Sequence, residues 1–177
     1  MPVKKIVAIC GSTRSNSSNL HIIKKIAALT VNRLDVEIIE NLIEMPHFNP
    51  ELDNTQQLPA LVAQFRKKIN AADGVLICTP EYVFSLPGAL KNILEWTVST
   101  VVFSDKPLAI ITASASGEKA HESIQLIMKT LGAKFSEETT LLIQSPKAKI
   151  NPAGEITDDK TLRELELLAA AFIGSLN

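Results

Sequence analysis

This chain of 177 residues lacks an excess of either charge: it has 18 Lys and Arg and 19 Asp and Glu, and its net charge is −1. Nucleic-acid binding needs a concentrated basic surface, so we expect no nucleic-acid partner. No apolar run approaches the roughly eighteen residues that span a bilayer, and no signal-peptide core precedes Gly11. We therefore expect a cytoplasmic protein with no membrane partner.

Cysteine and aromatic residues are also scarce, with 2 Cys and only 5% Phe, Trp and Tyr. Two cysteines cannot build the disulfide framework of a small secreted domain. Cys10 and Cys78 each end a predicted strand, so they are either a redox dithiol or two small buried hydrophobic residues, and we favour the second interpretation. His21, His47 and His121 share no ligand spacing with one another or with the cysteines, so we expect no metal site.

The chain does contain a regular alternation of apolar strands and amphipathic helices. Predicted strands cover residues 4–10, 36–39, 75–78, 108–112 and 139–143. Predicted helices cover residues 20–31, 59–72, a stretch opened by Ser85 and Pro87, 120–131 and 160–176, and residues 42–57 are predicted to form a long loop. The basic run 66–68 is expected on a solvated helix face. This order predicts one α/β domain, residues 1–177, with a doubly wound parallel sheet of five strands.

A turn rich in hydroxyl and amide groups follows the first strand, at residues 11–19. Free amides at a helix N-terminus favour a phosphate, and Arg14 would add a charge-assisted bond. The turn matches neither the dinucleotide pattern G-x-G-x-x-G nor the nucleotide-triphosphate loop, so a phosphate monoester is the expected ligand. The alternative is a plain turn with Asn19 as helix N-cap. The candidate residues here are Ser12, Arg14, Ser17, Ser18, Asn19 and Leu20.

A loop with two aromatic residues follows the third strand, at residues 79–87. Open α/β sheets bind ligands at the carboxyl ends of their strands, and two prolines with exposed amides suit a flat, partly polar ring. Glu81 is not expected to act as a general base, and no catalytic side chain is predicted. The candidate residues here are Pro80, Glu81, Tyr82, Val83 and Phe84.

These two segments resemble the NAD(P)H-dependent FMN reductase family, which includes quinone, azo-dye and chromate reductases. The family pattern G-S-x-R-x-x-S-x-N appears here as Gly11, Ser12, Arg14, Ser17 and Asn19. The pattern P-E-Y-N-x-S-x-P-G-x-L-K-N-x-x-D-W appears as Pro80, Glu81, Tyr82, Ser85, Pro87, Gly88, Leu90, Lys91, Asn92 and Trp96. Two long matches in the same order are a specific signal.

The resemblance implies a flavodoxin-like fold with three α/β/α layers and strand order 2-1-3-4-5. It also implies bound FMN, NADPH or NADH as co-substrate, a small-molecule electron acceptor such as a flavin or quinone, and a homodimer or homotetramer. Ser114, Ser116 and Gly117, after the fourth strand, would close one side of the flavin site. An FMN-binding electron carrier without pyridine-nucleotide activity is the alternative, although such carriers are strongly acidic and this chain is not.

The sequence departs from the family pattern at three places. Val83 stands where the family has Asn, Glu95 replaces Asp before Trp96, and Ala120-His121 replaces a Gly-Gly pair. An apolar residue beside the flavin removes a hydrogen-bond donor for small polar acceptors. We therefore expect quinones or flavins to be reduced more efficiently than chromate.

Overall fold

A computed structural model describes residues 2–54 and 56–176 of the protein. The strands are β1 (Lys4–Cys10), β2 (Leu34–Ile39), β3 (Gly74–Thr79), β4 (Leu108–Ser114) and β5 (Thr140–Gln144). The helices are α1 (Ser18–Leu29), α2 (Ala60–Ala71), α3 (Gly88–Glu95), α4 (Glu118–Thr130) and α5 (Asp159–Ser175). Short 3₁₀ turns lie at Leu42–Glu44, Pro50–Leu52, Glu137–Thr139 and Pro146–Ala148.

All five strands run parallel in the order β2-β1-β3-β4-β5, which confirms the predicted flavodoxin-like sheet. Alternate strand residues point to opposite faces, so each face buries its own apolar cluster. One cluster packs β-strand residues such as Ile6 and Leu76 against α1 and α5. The other packs Val7 and Ile77 against α2, α3 and α4. Burial on both faces explains why the strands read as continuous apolar runs.

The element boundaries differ modestly from the sequence prediction. β2 begins at Leu34, two residues earlier than expected, because Leu34 and Asp35 pair with Lys4 and Lys5 of β1. α1 begins at Ser18 because Ser17, and not Asn19, accepts a hydrogen bond from an amide of the first turn. Residues 42–57 are not a plain loop, since they include two of the 3₁₀ turns.

The expectation for residues 66–68 was wrong for Arg66. Its guanidinium forms an ion pair of 2.6 Å with Asp53 and also donates to the carbonyl of Trp96. The indole of Trp96 is buried and donates to the carbonyl of Pro46 at 2.8 Å, while Phe48 packs on its edge. Arg66 therefore connects α2 to Asp53, in the segment that precedes this helix, and to Trp96, which follows α3. Lys68 does lie on the solvated face, in an exposed pair with Glu37.

Within the described residues, no helix combines the length and the apolar character that crossing a membrane requires.

Candidate active site

A cleft of about 560 Å³ opens at the carboxyl ends of β1, β3, β4 and β5. This edge of the sheet includes the switch point between β1 and β3, where chain connections leave in opposite directions and ligands bind. The structure brings both candidate segments to this cleft. The predicted residues that line it are Ser12, Arg14, Ser17, Ser18, Asn19, Pro80, Tyr82 and Ser114.

The turn after β1 reaches the cleft because Gly11 packs tightly against β3. Its amide donates to the carbonyl of Cys78 at 2.8 Å. A Cβ atom on Gly11 would lie 2.7 Å from Thr79 Oγ1 and 2.9 Å from Leu90 Cδ2, so no side chain fits there. Ser17 then caps α1, its Oγ accepting from the amide of Leu20 at 3.1 Å. Glycine and cap together turn the chain so that the start of α1 points into the cleft.

This end of the cleft carries donors with no partner among the described residues. Within residues 2–54 and 56–176, no hydrogen bond engages the backbone amides of Ser18 and Asn19, and the exposed guanidinium of Arg14 forms no ion pair. The amides lie at the N-terminus of α1, where the helix dipole adds a partial positive charge. Donors and charge of this kind are suited to a phosphate group.

Two of the predicted residues contribute differently from what the sequence suggested. The side chain of Asn19 is buried, and its Nδ2 donates to the carbonyl of Ala113 at 3.3 Å while its Oδ1 accepts from Cys78 Sγ. That side chain ties α1 to β3 and β4, and only the amide of Asn19 remains for a ligand. Leu20 does not line the cleft, because its side chain lies in the core and its amide is taken by Ser17.

Cys10 and Cys78 are register partners on β1 and β3, and both are buried free thiols. Burial raises the pKa of Cys10, whose thiol donates to the carbonyl of Ser12 and lies within hydrogen-bond distance of the hydroxyl of Ser17. Burial, together with the neighbouring Cys10, raises the pKa of Cys78 well above its usual range. Because only the thiolate is a nucleophile, these geometries favour small buried residues over a redox dithiol.

The loop after β3 forms a tight two-residue hairpin between Tyr82 and Ser85. The two residues exchange backbone hydrogen bonds of 2.9 and 3.0 Å, while Val83 and Phe84 have φ values of 51° and 56°. Positive φ at both central positions is typical of a type I′ turn, for which Asn and Gly are the favoured residues. Tyr82 lines the cleft, whereas Val83 and Phe84 are 96% and 77% exposed and do not line it. Val83 in place of Asn therefore affects the backbone conformation of the turn rather than the lining of the cleft.

Replacing Val83 with Asn is expected to raise the free energy of unfolding by about 1 kcal/mol. Positive φ is less unfavourable for Asn than for a β-branched residue such as Val. Urea denaturation measures this gain. Val31→Asn is the matched control, since Val31 is also exposed but has no positive φ, and it should bring no gain. If the variant also raises kcat/KM for chromate relative to a quinone, residue 83 meets the acceptor. A gain in stability with an unchanged acceptor ratio would contradict the expected selectivity role.

The carboxylate of Glu81 points away from the cleft and toward the start of α4. Oε1 accepts from the amide of Gly117 at 3.2 Å, and Oε2 accepts from the amide of Ala120 at 3.0 Å. The hydroxyl of Ser114 donates to the carbonyl of Glu81 at 3.4 Å. Glu81, Ser116 and Gly117 were predicted to contact the flavin, but they do not line the cleft. Both carboxylate oxygens of Glu81 are therefore engaged by backbone amides at the start of α4.

The sequence reasoning missed the turn after β5 as part of the cleft. Ser145, Pro146, Lys147 and Ala148 line it, and the amide of Ser145 donates to the carbonyl of Ser114 at 2.9 Å. The rule that sites form at the carboxyl ends of parallel strands could have found this turn, because it directly follows β5. Asn16 and Ala113 were also missed. Lys147 adds a second cation to the cleft.

His121 and His21 each form a hydrogen bond with a neighbouring side chain. His121 is half-buried, its Nδ1 lies 2.9 Å from Thr112 Oγ1, and burial lowers its pKa. His21 Nε2 pairs with Asn16 Oδ1 at 2.7 Å. In the part of the chain that the structure describes, no group of three or more His, Cys, Asp or Glu side chains has the arrangement of a metal site.

The sequence is similar to a known family of reductases. The family model described as NADPH-dependent FMN reductase matches residues 4–146. A NAD(P)H-dependent FMN reductase of Pseudomonas aeruginosa is 31% identical over 166 residues, covering 91% of this chain and 88% of its own. An NADPH:quinone oxidoreductase of Arabidopsis thaliana is 31% identical over 173 residues, covering 93% of this chain and 88% of its own.

Among solved structures, the flavoenzyme NAD(P)H:(acceptor) oxidoreductase FerB from Paracoccus denitrificans superimposes with a TM-score of 0.80. It is 26% identical, and the match covers 98% of this chain and 97% of that one. The fold, the matched family model and these relatives define a flavodoxin-like oxidoreductase. The chain belongs to the NADPH-dependent FMN reductase family, which confirms the resemblance seen in the two motifs.

Proposed function

We propose that this protein is an FMN-containing oxidoreductase that takes two electrons from NADPH or NADH and delivers them to a quinone, a free flavin or a similar acceptor. One observation carries the proposal. A single cleft combines free amides and an unpaired arginine at one end with Tyr82 and Pro80 at the other. A flavin mononucleotide has the same two parts, a phosphate monoester and a flat ring.

The residues of the cleft fit the parts of FMN. The amides of Ser18 and Asn19 and the guanidinium of Arg14 would bind the phosphate. Pro80 and Tyr82 on one side and Ser114 and Ala115 on the other would border the ring. Bound FMN supplies the two-electron chemistry, and the protein supplies binding, orientation and the polarity around the ring.

Family membership and the near-zero net charge favour an enzyme over an electron-carrier flavodoxin, since carriers use strong negative charge to dock on basic partners. The relatives named as quinone and FMN reductases support the choice of acceptor class.

Flavin analysis and anaerobic titration test the proposal. Denaturing the purified protein should release FMN, and NADPH or NADH added without oxygen should bleach the flavin absorbance, which a quinone then restores. Because both substrates would use one exposed face in turn, initial rates at varied NADPH and quinone should give parallel double-reciprocal lines. Release of FAD, or a flavin that stays oxidised with both nicotinamides, would contradict the proposal.

We also propose that the protein is a homodimer or homotetramer built on the α3 and α4 surface. An apolar groove of about 360 Å³ lies there, lined by Phe48, Leu94, Val98, Leu126, Ile127 and Leu131 together with Lys91, Glu95 and Thr130. Val98, Val101 and Leu126 are exposed, and exposed apolar surface of this kind marks contacts between proteins. Sedimentation should show an oligomer that Leu126→Glu dissociates. A monomeric wild-type protein at micromolar concentration would contradict this.

The cytoplasm is the proposed location, because both cysteines are unpaired thiols, which suits a reducing compartment. Fractionation of cells producing the protein tests it.

A further inference from the structure

Helix α4 begins at a residue that cannot cap it. Gly117 has a φ of 88°, and a Cβ atom there would lie 2.8 Å from Leu142 Cδ1 and 3.2 Å from Thr112 Cγ2. The position therefore demands glycine, which has no side chain to accept from the amides of the first turn. Those amides need a partner from another part of the chain.

Glu81 supplies that partner from the loop after β3. The N-cap residue is Gly117, so Ala120 is the third residue of the helix. In a capping box, the N-cap side chain accepts from the amide of the third residue, and the side chain of that residue accepts from the N-cap amide. The two oxygens of Glu81 take both positions, on the amides of Ala120 at 3.0 Å and of Gly117 at 3.2 Å.

We propose that Glu81 is a positioning residue that holds the two walls of the flavin cleft together as one unit. Its neighbours Pro80 and Tyr82 line one wall, and Ser114 and Ala115, which precede the start of α4, line the other. The bond from Ser114 Oγ to the carbonyl of Glu81 joins the walls a third time. This role rests on the proposed function, and it assigns to Glu81 the support of the ring rather than contact with it.

The same contact decides which helix is available to the phosphate. The N-termini of both α1 and α4 lie at the carboxyl edge of the sheet, and each would attract an anion. The carboxylate of Glu81 already occupies the first turn of α4, whereas the amides of Ser18 and Asn19 at α1 are free of partners within the described residues. Only α1 then competes for the phosphate, and FMN is held in a single orientation.

Loss of the bridge should lower flavin affinity by letting the walls move independently. The strained residues Val83 and Phe84 and the exposed residues Ala115 and Ser116 would have to be ordered again on binding. Ordering of loops is a cost of association, and preorganisation removes it.

The test compares Glu81→Ala and Glu81→Gln with a control, Glu122→Gln, which removes a carboxylate from an exposed position of α4. The dissociation constant of FMN from the apoprotein should rise about tenfold in Glu81→Ala and several-fold in Glu81→Gln, which keeps one acceptor oxygen, and by less than twofold in the control. Hydrogen exchange at Gly117 and Ala120 should accelerate in the Glu81 variants of the apoprotein. Sodium acetate, but not sodium chloride, should restore part of the affinity in Glu81→Ala by occupying the vacated carboxylate position.

These readouts separate the two proposals. If wild-type protein binds FMN and a folded Glu81→Ala or Glu81→Gln variant binds it equally well, the positioning role is overturned. Unchanged exchange at Gly117 and Ala120 would also overturn it, because the capping contact would then be absent in solution. If wild-type protein fails to bind FMN, the proposed function fails, while accelerated exchange in the variants still supports the bridge. Should Glu81→Ala not fold, Glu81→Gln carries the comparison.

Discussion

Replacing Arg14 with alanine is expected to weaken FMN binding about ten- to a hundred-fold, since a hydrogen bond between charged groups contributes roughly 1.5–3 kcal/mol. Arg14 lines the cleft, its side chain is exposed, and it forms no ion pair among the described residues, so its charge is available to the phosphate. Fluorescence titration of the apoprotein with FMN measures the change.

Two further variants show whether charge or geometry is responsible. Arg14→Lys keeps the charge but not the planar fork, so it should fall between wild type and Arg14→Ala. Arg163→Ala removes an exposed arginine of α5 that does not line the cleft, and it should leave the affinity unchanged. Affinity of wild type should also decline with salt more steeply than that of Arg14→Ala. Equal affinities in wild type and Arg14→Ala would mean that the guanidinium does not meet the phosphate.

Replacing Arg66 with methionine is expected to lower the free energy of unfolding by about 3 kcal/mol, because it leaves the carboxylate of Asp53 without its ion-pair partner in a largely buried position. The side chains of Arg66 and Asp53 are only 15% and 6% exposed. Lys68→Met on the same helix is the matched control. Lys68 and Glu37 are also 2.6 Å apart but 45% and 54% exposed, and an exposed pair contributes at most about 1 kcal/mol.

The effect of Arg66→Met should depend on pH in a defined direction. Burial of Asp53 favours its protonated form, but hydrogen bonds from Ser99 and Arg66 and the charge of Arg66 outweigh burial, and its pKa lies below the usual 3.8. A depressed pKa gives stability that is present above the unfolded value and is lost as the pH falls through the folded value. Urea unfolding should therefore separate wild type from Arg66→Met at pH 7 and bring them closer below about pH 3.8. A difference that stays constant with pH would point to lost packing alone.

The candidate site could be predicted where its residues follow one another in the chain. The turn at 11–19 and the loop at 79–87 are contiguous, and each carries enough polar or aromatic residues to be noticed. The roles of single side chains within them could not be predicted, because they depend on groups far away in sequence. The side chain of Asn19 is hydrogen-bonded to Ala113 and Cys78, and that of Glu81 to Gly117 and Ala120. The turn at Ser145 joins the cleft only because β5 lies next to β4.

Local patterns determined the class of this protein. Continuous apolar runs predicted the five strands, and amphipathic segments bounded by glycine or proline predicted the five helices. Both sets lie close to their observed bounds, because these signals act within a few residues. The two motifs added the strand order and the family. Tertiary structure alone decided that Arg66 is buried against Asp53 and Trp96, that Val83 and Phe84 have positive φ, and that Glu81 caps α4. Each depends on which distant groups the fold brings within about 3 Å, where hydrogen bonds form, and sequence spacing does not encode that distance.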